Sequence, residues 1–173
     1  MEPILVPAIR PADSKRREDV SGIAEIYNDA VLHTTAIWND QVVNEENRRL
    51  WIEERTAQGF PILIAVENGD VLGYATFGQF RPHDGYRRTV ENSIYVRGDQ
   101  RRRGIAATLM APLIAAARAY GAHTMIAAIE AENVASIRLH EHFDFREVGR
   151  LLEVGRKFDR WLDLVLMQKT LDR

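Results

Sequence analysis

The apolar positions of this chain change period several times, and each change marks an element. Residues 4–10 (ILVPAIR) read as a first strand, and Pro7, which cannot donate to a ladder, assigns it to a sheet edge. Ile23, Ile26, Tyr27, Ala30 and Val31 recur at the spacing of one helical face. A loop containing TTAIWND follows. Asn44 is then placed to cap a second helix, Glu45 and Glu46 suit its positively polarised first turn, and Gly59 and Pro61 mark its end. PILIAVE and VLGYATFGQF are strand-like and separated by NGD, in which Asn68 and Gly69 both tolerate positive φ and predict a hairpin. VENSIYV is a further strand. Residues 103–120 read as a helix, with Ile105, Leu109 and Leu113 one turn apart. Pro112 inside it predicts a kink, at a local cost of up to about 3 kcal/mol. MIAAIE is a strand, residues 133–143 a short helix, and roughly 145–153 and 158–168 the last two strands. Both faces of WLDLVLM are largely apolar, so that strand is expected to be central or covered on both sides. The order β-α-α-β-β-β-α-β-α-β-β packs most naturally as an α/β arrangement, a mixed sheet with helices on both faces.

Composition narrows the function classes. At 173 residues, with no repeat and no linker-like tract, the chain is expected to form a single domain over residues 1–173. A net charge of −2 gives no global reason to expect nucleic acid or an anionic membrane as a partner. The absence of cysteine excludes a disulfide framework, a cysteine-ligated zinc site and a cysteine nucleophile. No apolar run approaches the roughly 20 residues of a spanning helix. The start, MEPILVPAIRP, lacks the basic and long apolar regions of a signal peptide, so a cytoplasmic location is expected. No HExxH occurs, and His140 and His142, two apart on a predicted helix, point in different directions, so no metal is expected.

The first chemical signal is VRGDQRRRGIAATLM. A strand ending at Val96 runs into Arg101, Arg102, Arg103 and Gly104, after which a helix begins. A helix N-terminus presents unpaired N–H groups, and glycine lets the backbone approach a bulky anion. The segment reads either as a phosphate cradle or as a solvated basic turn. It is neither a P-loop nor a dinucleotide fingerprint, because GK(S/T) and GxGxxG are both absent. RRRGIA resembles the R/Q-x-x-G-x-G/A loop by which the GNAT acetyltransferases hold the pyrophosphate of acetyl-CoA. The resemblance implies a GNAT fold, a mostly antiparallel sheet of about seven strands flanked by four helices and splayed at the acetyl-CoA cleft. It assigns Ile94, Tyr95 and Val96 to the pantetheine arm, and Arg102, Arg103, Gly104, Ile105, Ala106 and Ala107 to the pyrophosphate.

AENVASIRLHEHFDF resembles the second GNAT signature, N-x-x-A-x-x-L-Y-E-x-x-G-F, with Asn133, Leu139, Glu141 and Phe145 in matching positions. Asn133 is thereby assigned to the cofactor. His140 replaces the usual tyrosine, and Asp144, which tolerates left-handed geometry, replaces the usual turn glycine. The His140 departure, together with TTAIW, R-P-x-x-GYR, VE-x-S-x-YV and VG-x-KF-x-RWLDL, resembles the phosphinothricin and methionine sulfoximine acetyltransferase branch. That resemblance implies N-acetylation of a small L-amino acid such as methionine sulfoximine, methionine sulfone or phosphinothricin. Loss of the ammonium charge would detoxify such compounds. It also implies a homodimer.

Amide formation needs a neutral amine, whereas α-amino groups are largely protonated near neutral pH. Glu91 is the candidate base: strand alternation places it on one face with Ser93 and Tyr95, and the branch resemblance puts a functional carboxylate there. Taken alone, it reads first as an exposed strand glutamate in a cross-strand ion pair, and the resemblance reverses that order. His140 is the candidate for the thioester end, against the alternative of a packed helix-terminal histidine. A backbone N–H near Val96 would serve the oxyanion. For the acceptor's carboxylate the resemblance favours Arg81, with Pro82 and His83 beside it, and it places Glu91, Asn92 and Ser93 around the amine. The loop carrying Trp38 is a candidate acceptor cover. The alternatives are a GNAT enzyme acting on a protein N-terminus or another amine, and a non-catalytic acetyl-CoA-binding module.

Overall fold

The computed structural model describes residues 6–171. Its elements are β1 (Ala8–Pro11), α1 (Arg17–His33), α2 (Glu45–Ala57), β2 (Ile62–Glu67), β3 (Asp70–Gln79), β4 (Thr89–Val96), α3 (Ile105–Tyr120), β5 (Thr124–Glu130), α4 (Val134–His142), β6 (Arg146–Lys157) and β7 (Arg160–Thr170). The order matches the expectation. Of the expected first strand, residues 4 and 5 lie outside the described range, and β1 extends to Pro11 at a sheet edge.

The seven strands form one sheet in the order β1-β2-β3-β4-β5-β7-β6, and only the β4–β5 pair is parallel. Alternation sends successive side chains to opposite faces. On β2, Ile62 and Ile64 join Val20, Ile23 and Ile26 of α1 and Ile52 of α2. Leu63 and Ala65 join Leu109, Met110 and Leu113 of α3 on the other face. Partly buried Ile137 and Leu139 of α4 also pack on that second face. The central position of β7, between β5 and β6, accounts for its two apolar faces.

Local chemistry sets most boundaries as expected. Asn44 caps α2 by accepting from the Asn47 amide at 2.8 Å. Asn68 (φ 52°) and Gly69 (φ 91°) are both left-handed, as the β2–β3 hairpin requires. Asp144 (φ 63°) takes the left-handed turn between α4 and β6. α3 continues through Pro112 to Tyr120, although Pro112 withholds the N–H that would bond the Thr108 carbonyl. β6 is longer than its pattern suggests. Two register shifts, at Glu147/Gly149 and Leu151/Gly155, put extra residues into it and blur its alternation.

An ion pair with a buried carboxylate and a part-exposed guanidinium ties β1 to α1. Arg10 donates through both terminal nitrogens to Asp19 at 2.6 and 2.7 Å, and the Asp13 amide donates to the same carboxylate at 2.9 Å. Asp19 is 1% exposed. Burial alone would raise its pKa, but the Arg10 and Asp13 hydrogen bonds outweigh that and hold it below the usual carboxylate value. A depressed carboxylate stabilises the fold above its unfolded pKa, and that contribution is lost as pH falls through the folded one. Asp19→Ala is expected to cost about 2–3 kcal/mol at neutral pH, measured by urea unfolding. The gap from wild type is expected to narrow as pH falls below about 4.

Candidate active site

The site begins where two strands part. β4 and β5 pair at only three positions, Thr89–Thr124, Val90–Met125 and Glu91–Ile126. Beyond them β4 stays bonded to β3 as far as Val96, and β5 stays bonded to β7 as far as Glu130. Each strand is held by its outer neighbour while the two diverge, so the gap between them opens through the sheet. Asn92 sits just past the last pair and is buried. Its Nδ2 donates to the Ile126 carbonyl at 3.4 Å.

A cleft of about 660 Å³ occupies the wide end. Its walls include Ile94, Tyr95 and Val96 of β4, Arg101, Arg102 and Gly104 of the loop, Ile105, Ala106 and Ala107 of α3, and Asn133 of α4. Arg102 (φ 63°) and Gly104 (φ 77°) are left-handed, and this turns the chain into α3. The first bond of the helix runs from the Thr108 amide to the Gly104 carbonyl. The amides of Ile105, Ala106 and Ala107 therefore have no partner within the helix. α1 and α2 carry acidic residues in their first turns, whereas α3 has none and no side-chain cap. Its positive end is left to an external anion, and a pyrophosphate group fits that cradle. The arginines divide their work. Arg101 and Arg102 face the cleft, while Arg103 is tied to Glu67 at 2.9 Å and to Gln100. Its backbone remains in the loop, but its guanidinium is committed elsewhere.

A smaller cavity of about 290 Å³ adjoins the fork, lined by Glu91, Asn92, Ser93, Ile94, Tyr95 and His140 among others. Asn133, Ile94, Tyr95, Ala36 and Glu130 line both spaces. Pairing with Gly78, Thr76 and Tyr74 of β3 puts Glu91, Ser93 and Tyr95 on one face, the face of α1 and α2. Glu91 is half-buried, and desolvation raises its pKa above the usual carboxylate value, opposed by the charge of Arg81.

His140 comes from the opposite face. It is 3% exposed and stacks edge-on against Phe145 at 5.0 Å. Its Nδ1 lies 2.8 Å from the Ser136 carbonyl and its Nε2 3.1 Å from Asn92 Oδ1. Burial lowers its pKa, against the Ser136 bond, and so favours the neutral ring. Each ring nitrogen faces an acceptor oxygen, so the neutral ring donates to one of them at a time, and donation to both belongs to the imidazolium. His140 thus meets the fork through Asn92.

Arg81, Pro82 and His83 lie in the exposed segment between β3 and β4. None lines the smaller cavity. Arg81 and Pro82 border a separate groove with Trp51, Arg55 and Phe60 of the α2 region, although the charge of Arg81 still reaches Glu91. Residues that sequence reasoning gave no role also form the site. Glu130 is buried and accepts from Thr35 Oγ1 at 3.0 Å and from the Glu132 amide at 3.1 Å, fastening the loop after α1 to the end of β5. The TTAIW segment hinted at Thr35, but nothing in a strand-terminal glutamate did.

Among known proteins, a family model described as an acetyltransferase (GNAT) domain matches residues 13–166. The chain belongs to the GNAT acetyltransferase family. It is 53% identical to an L-methionine sulfoximine/L-methionine sulfone acetyltransferase of Pseudomonas paraeruginosa, covering 89% of this chain and 90% of that protein. It is 50% identical to an L-amino acid N-acyltransferase of Escherichia coli, covering 91% of each. The solved structure of a Salmonella typhimurium acetyltransferase with its cofactor acetyl-CoA superimposes with a TM-score of 0.92 at 48% identity, covering 96% of this chain and 95% of that one. The seven-stranded GNAT sheet, splayed between β4 and β5 and flanked by four helices, is therefore the expected fold of an N-acetyltransferase. Among the described residues no cluster of three metal-ligating side chains occurs, and no helix is long and apolar enough to cross a membrane.

The opposing effects on Glu91 give a signed prediction. In a ¹³C-carboxyl NMR titration its midpoint is expected above the usual glutamate value, and higher still in Arg81→Ala. A midpoint unmoved by that substitution contradicts the coupling.

Proposed function

We propose that this chain transfers the acetyl group of acetyl-CoA to the α-amino group of a small L-amino acid, such as methionine sulfoximine, methionine sulfone or phosphinothricin. The observation that carries the reading is the fork, where an anion-accepting helix end and a desolvated carboxylate open onto two adjoining spaces. The names of the Pseudomonas and Escherichia coli relatives support the acceptor class.

In this reading the larger cleft takes acetyl-CoA. The pyrophosphate lies against Arg102, the backbone of Arg103, and residues 104–107, and the pantetheine arm runs along the unpaired edge of residues 94–96, with Asn133 beside it. The acceptor occupies the smaller cavity, with Asn92 and Ser93 near the amine. Glu91, its pKa raised by desolvation, takes the proton from the ammonium directly or through water. The neutral amine attacks the thioester carbonyl while both substrates are bound. A β4 backbone N–H near Val96 steadies the oxyanion, and collapse expels the CoA thiolate, which takes the remaining proton of the attacking nitrogen, directly or through water, and leaves as the thiol. His140 serves the fork through Asn92, and Arg81, from the adjoining loop, attracts the acceptor's carboxylate. The catalytic unit acts in the cytoplasm as a homodimer. The exposed Val148, Leu152, Val154 and Trp161 on the β6–β7 hairpin support the dimer, as an edge surface suited to a second copy.

Release of thiol from acetyl-CoA tests the reaction. The panel would hold the three named amino acids, common amino acids, a peptide and an aminoglycoside. Turnover is expected with methionine sulfone or sulfoximine and is expected to fall at least 100-fold in Glu91→Gln, with acetyl-CoA affinity retained. Turnover of the peptide or aminoglycoside alone would sink the acceptor assignment. Sedimentation of the same preparation as a monomer at micromolar concentration would sink the dimer.

A further inference from the structure

Lys157 is buried without an acidic partner. It stands at the end of β6, 4% exposed, and among the described residues no carboxylate lies within ion-pair distance of it. Asp40 acts on it only as a more distant charge. The Nζ instead donates to two main-chain carbonyls, Thr34 at 2.7 Å and Ile37, with the Phe158 ring 4.9 Å away. A desolvated ammonium is costly to bury, and main-chain dipoles compensate it only when held in place. The two carbonyls belong to one loop, the irregular segment Thr34–Asn39 between α1 and α2.

That loop is fixed from several sides. The Trp38 indole lies on Gly155 of β6, so closely that a Cβ there would run into the ring. Trp38 Nε1 donates to the Thr35 carbonyl at 2.8 Å, closing the turn on itself. Thr35 reaches Glu130 at the end of β5, and Asn39 Nδ2 donates to the Tyr27 hydroxyl at 2.6 Å. Its residues wall both spaces of the fork: Thr34–Ala36 the larger cleft, and Ala36–Asn39 the smaller cavity that holds Glu91. Lys157 lines neither.

We propose that Lys157 is a positioning residue for the acceptor amino acid, its ammonium setting the 34–39 loop as the outer wall of the Glu91 cavity without touching either substrate. The inference rests on the proposed amino-acid acetylation. An ammonium suits the task because it offers three donors at one point, and two carbonyls that converge from one turn require at least two of them. An apolar or shorter side chain at 157 takes this donor away from both carbonyls, and the turn between them loses its tether. Trp38 and Gly155 form the second half of the same contact, so the acceptor wall is held by the C-terminal hairpin as well as by the helix it follows.

The test compares steady-state kinetics of wild type, Lys157→Met, Lys157→Arg and Gly155→Ala with methionine sulfone and acetyl-CoA varied separately. Acetyl-CoA affinity is titrated independently. Lys157→Met is expected to lower kcat/KM for the amino acid at least 10-fold, mainly through KM, and to change acetyl-CoA affinity less than 3-fold. Lys157→Arg, which keeps the donors, is expected to recover most of the loss. Gly155→Ala, which displaces Trp38 while leaving Lys157 in place, is expected to give the same split and stands in if Lys157→Met does not fold. Unchanged kinetics in the variants, an equal loss for both substrates, or a failure of arginine to rescue overturns the inference. Wild-type protein that acetylates no amino acid overturns the acetylation reading itself and removes this role with it.

Discussion

Everything chemical in this molecule depends on the early end of one strand pairing. β4 and β5 run parallel for three residue pairs and then part, each held by its outer antiparallel neighbour. A sheet normally spends its backbone groups on itself. Here the inner edges of two central strands are released from one another in the middle of the structure. The Asn92 side chain fills the first gap by donating to the Ile126 carbonyl, and His140 braces Asn92 from α4. Beyond them the two edges face open space, and α3 begins beside it with an uncapped, acid-free first turn. One departure from regular pairing thus supplies a channel through the sheet, a row of backbone donors and acceptors, and a helix end aimed at its mouth.

The two faces of the sheet contribute different chemistry to that opening. Glu91, Ser93 and Tyr95 come from the α1/α2 side; Asn92 and His140 come from the α3/α4 side. The strand's two-residue period sends the desolvated carboxylate of Glu91 and the Asn92 amide that meets the buried imidazole to opposite faces, and they share one cavity because the sheet is open there. A one-residue slip of β4 would carry each of them to the other's face. The long antiparallel register with β3, continuous from Gly73–Val96 to Gln79–Val90, guards against that slip.

Much of this was legible in the sequence because the signals were local. Asn44, Asn68-Gly69 and Asp144 specify their caps and turns through their own backbone and side-chain chemistry. The RRRGIA and AENVASIRLHEHF segments announced the anion cradle and α4. The rest was not legible because it depends on long-range placement. Nothing near Arg103 says that Glu67, on another strand, will claim its guanidinium. Nothing near Arg81 places it on a groove beside α2 instead of in the Glu91 cavity. His140 lies one residue from Glu141 and two from His142, yet only tertiary packing makes it the buried partner of Asn92. Lys157 sits in a recognisable segment, but its bonds cross more than a hundred residues of chain to the loop at 34–37.

Amide hydrogen exchange with and without acetyl-CoA tests the central claim most directly, because it reads the backbone groups that the fork sets free. Slowed exchange is expected at Ile94 and Val96 of β4, whose N–H groups point away from β3, and in the first turn of α3 at residues 105–107, with the β1–β2 edge unchanged. Protection concentrated elsewhere, for instance along the groove beside α2, with these amides unaffected, would contradict the central claim.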